Sequence, residues 1–111
     1  MQNDARKAAI AAYKERKVVA GIYRVRCLAN GDSWVGHAPD LSKIQNRVWF
    51  TLRHGSHRER ALQAAWQAHG EEQFVFEEVE RVDEDELAIG RERVMKARVA
   101  HWTRELNAQP L

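Results

Sequence analysis

The sequence predicts an α+β domain with a small, three-stranded, mainly antiparallel sheet flanked by helices. Three observations predict it. A run that alternates from Ile22 meets an Asn30-Gly31-Asp32 turn and a short returning run, as in a hairpin. Two segments then carry apolar residues at helical spacing. A third β-like run precedes a long helical stripe that reaches almost to the last residue.

The elements follow in order. Residues 4–16 are rich in Ala, Lys, Arg and Glu, and Asn3 or Asp4 stands ready as a cap. This predicts an appended N-terminal helix within 1–17, ahead of a domain over 18–109. Val18 to Cys27 reads as the first strand and Ser33-Trp34-Val35-Gly36 as the second. Asp40 caps a helix whose Leu41, Ile44, Val48 and Leu52 share one face, and Gly55 stops it. A second helix is expected from Arg58 to His69, with Leu62 and Trp66 inward and Gly70 at its end. Gln73 to Val79 reads as the third strand. The acidic run Asp83-Glu84-Asp85-Glu86 opens the last helix, where negative charge suits the dipole. Leu87, Met95, Val99, Trp102 and Leu106 form its stripe. Trp49, Trp66 and Trp102 are expected in the core.

Composition bounds the rest. At 111 residues the chain is one domain's worth. With 44% hydrophobic and 31% charged residues it reads as soluble and globular. It has no apolar run near the roughly 18 residues of a membrane span, so no membrane partner is expected. The charged N-terminus lacks the apolar segment of a signal peptide, and the single Cys27 excludes an intrachain disulfide. A cytoplasmic setting is therefore expected. Charge is uneven. Residues 1–60 hold 12 Lys/Arg against 5 Asp/Glu, whereas residues 61–111 hold 6 against 11. The basic half suits a polyanionic partner. Oligomeric state is not legible.

Common catalytic motifs are missing. There is no phosphate-binding glycine loop, no zinc spacing and no nucleophile elbow. His54 and His57 lie close in sequence but lack a third ligand. What remains is the hairpin. Gly21-Ile22-Tyr23 and Trp34-Val35-Gly36 are separated by ten residues, with Asn30-Gly31 at the turn. Leu52-Arg53-His54-Gly55-Ser56-His57, Leu62-Gln63, Trp66, His69-Gly70 and Phe74-Val75-Phe76-Glu77 follow. This ordered series, over roughly residues 20–107, resembles the GIY-YIG nuclease superfamily. It is similar to the homing-endonuclease branch and to small stand-alone bacterial members.

The resemblance implies a metal-dependent DNA endonuclease that hydrolyses phosphodiester bonds with Mg2+ or Mn2+. Tyr23 matches the tyrosine that helps deprotonate the attacking water. Arg47 is the candidate phosphate ligand, three residues and almost one helical turn past Ile44, where the family's arginine falls without gaps. Glu92 is the candidate metal ligand if the last helix is aligned forward from the third strand. Aligned backward from His101-Trp102, the position is Val99. Trp34 stands where the second motif usually has tyrosine, and indole has no ionisable hydroxyl. Trp34, His37, Lys43 and His57 are the candidate substrate-binding residues. Two alternatives stay open. One is a catalytically degenerate domain that binds nucleic acid. The other is a protein-interaction domain using the acidic second half, including Glu77, Glu78 and Glu80.

Overall fold

The computed structural model describes residues 18–111. The N-terminal helix expected within 1–17 lies outside the described residues. Strands β1 (Ala20–Cys27) and β2 (Ser33–Ala38) form the expected antiparallel hairpin. At its turn the Gly31 N–H donates to the Cys27 carbonyl at 2.9 Å, with Gly31 in a positive-φ conformation that glycine adopts without strain. The register pairs Tyr23 with Gly36, Ile22 with His37 and Gly21 with Ala38. The two motif triplets therefore meet only at Tyr23 and Gly36.

Strand β3 (Phe74–Val82) pairs antiparallel with the other edge of β1, with a bulge between Ile22 and Tyr23. The sheet has a fourth strand, which the sequence did not suggest. Gln109–Pro110 (β4) lies parallel to β2, giving the order β3-β1-β2-β4. The sheet is thus mixed, not three-stranded and antiparallel. Asn107, at φ 51°, reverses the chain after the last helix, and the Leu111 N–H donates to the Val35 carbonyl at 2.8 Å.

Helices cover both faces of the sheet. α1 (Leu41–Arg53) starts at Asp40, whose carboxylate accepts the Ser42 N–H at 3.0 Å. α2 (Arg60–His69) begins two residues later than expected, because Glu59 takes the cap position and accepts the Ala61 N–H. The expected continuous last helix is two helices, α3 (Glu84–Leu87) and α4 (Arg91–Glu105). Gly90, at φ 156°, breaks it.

Strand alternation sorts the core into two layers. Tyr23, Val25, Cys27 and Trp34 face Val48, Trp49 and Leu52 of α1 and Leu62 and Trp66 of α2. Ile22, Val35 and Val82 face Leu87 of α3 and Met95 and Val99 of α4. Trp49 and Trp66 meet edge to face at 5.4 Å, as expected of core aromatics. Trp102 is partly buried and donates its indole N–H to Glu80 at 2.9 Å. Among the described residues, no helix is long and apolar enough to cross a membrane.

Candidate functional site

The glycines of the two hairpin triplets have packing reasons. A Cβ at Gly21 would run into the Glu80 carbonyl oxygen of β3 and come within 2.7 Å of Leu41 Cδ1. A Cβ at Gly36 would lie 2.7 Å from the Tyr23 hydroxyl and 2.8 Å from its Cζ. Gly36 is therefore the floor on which the Tyr23 ring rests, and Phe76 stacks on that ring at 5.1 Å.

Tyr23 is only 5% exposed, beneath α1 and α2. Burial pushes its pKa above the ordinary tyrosine value, and the positive charge of Arg58 offsets part of that rise. Sequence reasoning missed Arg58, whose only signal is a cation beside His57. Trp34 is 1% exposed, and its indole N–H is buried without a hydrogen-bond partner. It is a core residue of the hairpin and presents nothing to a substrate at the surface.

The remaining candidates lie on different surfaces. Ile44 packs against the α1–α2 core, as its place in the apolar stripe requires. Arg47 and Lys43 are exposed on α1. Glu92 is exposed on α4, the helix that covers the sheet face opposite Tyr23. Glu92 and His37 share an open cleft of about 550 Å³ with Lys96, Val99 and Arg104. The two alternative alignment positions, Glu92 and Val99, therefore line one cleft, consistent with seven residues being nearly two helical turns. Neither Tyr23 nor Arg47 lines it.

His57 is tied into the loop between α1 and α2. Its Nδ1 accepts the Glu59 N–H at 3.0 Å, and its own N–H donates to Gln63 Oε1 at 3.0 Å. Buried Gln63 then donates to the Leu52 carbonyl at 3.0 Å. Desolvation lowers the His57 pKa. These contacts make it a loop-closing residue.

For a divalent cation the donor set is thin. Among the described residues, no group of three or more His, Cys, Asp or Glu side chains could hold a metal ion. The cleft offers one carboxylate, Glu92, and one imidazole, His37. Mg2+ favours oxygen ligands, and Glu92 is the one carboxylate side chain that the described residues bring to this cleft.

Charge is segregated in a way the sequence only partly suggested. The hairpin arginines Arg24 and Arg26 pair with Glu77, and Arg98 pairs with Glu80 and Glu86. Lys43 and Arg47 of α1 and Arg58 and Arg60 at the start of α2 make no ion pair among the described residues.

A mixed α+β sheet built on a Gly-Ile-Tyr hairpin, with helices on both faces, defines a GIY-YIG-type domain, and solved structures bear this out. The chain matches the catalytic domain of the homing endonuclease I-TevI with a TM-score of 0.67 and 26% identity, over 83% of this chain and 97% of that one. It matches a glutamate-to-alanine mutant of the catalytic domain of intron endonuclease I-TevI at 0.65 and 27%, over 80% and 84%. No protein-family model matches the chain, and no curated protein does. The chain belongs to the GIY-YIG nuclease superfamily, and its likeness to an endonuclease catalytic domain supports a nuclease relationship.

Proposed function

We propose that this chain is a nucleic-acid-binding GIY-YIG domain that grips DNA without cutting it through Tyr23, Arg47 and Glu92. The observation that carries this reading is their separation. Tyr23 is buried beneath α1 and α2, Arg47 is exposed on α1, and Glu92 lies in the cleft on the other side of the sheet. Metal-assisted phosphodiester hydrolysis brings a proton acceptor, a phosphate ligand and a metal ligand around one phosphorus atom. The buried, hard-to-ionise tyrosine and the tryptophan at position 34 point the same way. Lys43, Arg47, Arg58 and Arg60, which make no ion pair among the described residues, retain what a phosphate backbone needs, namely positive charge without sequence readout.

A working nuclease is the second reading, and the cleft favours it. There a carboxylate, an imidazole and two cations, Glu92, His37, Lys96 and Arg104, converge without Tyr23. In that reading Glu92 would hold Mg2+ or Mn2+, which would supply charge stabilisation at the phosphate, and His37 would be the proton acceptor.

The test is incubation of purified protein with supercoiled, branched and single-stranded DNA, with and without Mg2+ or Mn2+. Retardation without strand breaks supports the first reading. Metal-dependent nicking that Glu92→Ala abolishes and Tyr23→Phe leaves intact supports the second.

A further inference from the structure

α1 presents an outer face that the reading above does not use in full. Leu41, Val48, Trp49 and Leu52 point into the core. Lys43, Arg47, Phe50 and His54 follow at spacings of four, three and four. At about 100° per residue they fall within roughly 60° of one another on the opposite side. Phe50 is 59% exposed, which is unusual for so large an apolar ring.

Its neighbour explains how the ring is held. His54 lies against Phe50 with ring centroids 4.2 Å apart and planes tilted by 33°. The His54 Nδ1 sits 2.9 Å from the Phe50 carbonyl, and the His54 backbone N–H donates to the same oxygen at 3.2 Å. The imidazole is thereby fixed across the end of the helix, with one side of the Phe50 ring covered. The other side meets solvent. α1 contains no Asp or Glu, and Lys43 and Arg47 have no acidic partner among the described residues.

We infer that this face of α1 holds an unpaired nucleic-acid strand, one base stacking on the Phe50 ring while Lys43 and Arg47 hold the adjacent phosphates. The inference rests on the nucleic-acid reading above for its class of partner. Charge complementarity selects a polyanion. The open aromatic face selects an unpaired strand, because bases within a duplex already stack on their neighbours and a free base needs a new surface. Nothing in the contact depends on base identity, so the binding is sequence-tolerant.

The experiment is fluorescence anisotropy of the full chain with a labelled thymidine homopolymer and with a duplex of equal length, at one fixed low salt concentration. Phe50→Ala is expected to weaken single-strand binding about fivefold or more, the low end for one base stacked on an aromatic ring. Duplex binding is expected to change less than about twofold. Phe50→Trp is expected to keep or raise single-strand affinity. Phe50 is exposed, so the alanine variant should fold, which a melting curve checks. Single-strand binding unchanged by Phe50→Ala overturns this inference and leaves the nucleic-acid reading standing. Equal losses on both DNAs, or an equal loss on labelled polyglutamate, overturn it as well. A wild-type chain that binds neither DNA overturns both.

Discussion

A tyrosine that is to take a proton from water must ionise, and the place Tyr23 occupies opposes ionisation. Its pKa is raised by burial. The consequence for stability has a definite sign. Below about pH 10 the phenol is neutral in both the folded and the unfolded chain. Above it the unfolded chain loses the proton first, so the folded state is disfavoured as pH rises. Tyr23→Phe is therefore expected to leave stability nearly unchanged at neutral pH and to flatten the loss above pH ~10, read by urea unfolding on either side of that value. Gly36 belongs to the same story. Gly36→Ala sets a Cβ against the Tyr23 ring and is expected to cost about 1–3 kcal/mol, as overpacking does. If the clash is the cause, combining it with Tyr23→Ala gives less than the sum of the two single losses. Gly21→Ala meets the β3 backbone as well as the Leu41 side chain and should cost more, read by the same urea unfolding. At this scale the sequence was half legible. Tyr23 and the two glycines stood out as a motif, but their packing depends on register, which spacing alone does not reveal.

The elements were more legible than the contacts between them. α1 and α2 were readable because Leu41, Val48, Leu52, Leu62 and Trp66 repeat at helical spacing and all point inward. The turn at Gly31 and the cap at Asp40 also fall where their chemistry predicted. Two features were not readable. The break at Gly90 interrupts a stripe that runs from Leu87 to Met95 and so looks continuous. β4 is two residues long and has no periodicity to detect. The outer face of α1 was also missed, since Phe50 stands out only once His54 is seen stacked on it. This face carries the salt prediction. Changing Lys43 and Arg47 together to alanine is expected to weaken DNA binding and to lower the slope of log affinity against log salt by about two, roughly one per phosphate contact. An unchanged slope in a salt titration would assign the phosphate contacts elsewhere.

For the whole molecule, fold and chemistry separate. The backbone resembles that of an endonuclease catalytic domain over most of its length, yet a shared fold does not carry a shared reaction. Acidic side chains gather on β3 and α3 and neutralise Arg24, Arg26 and Arg98, while Lys43, Arg47, Arg58 and Arg60 make no ion pair among the described residues. That division was foreshadowed by the basic and acidic halves of the sequence. The separation of Tyr23 from Glu92 was not, because it depends on which sheet face each occupies. Trp34 and Ile44 were legible as departures from the motif; Trp34 is a core residue and Ile44 packs against the core. The central claim is tested most directly by following supercoiled plasmid in Mg2+ or Mn2+ at protein concentrations where retardation is complete. The account predicts that the plasmid is fully bound and stays supercoiled. Accumulation of nicked circles that Tyr23→Phe or Glu92→Ala abolishes would contradict it.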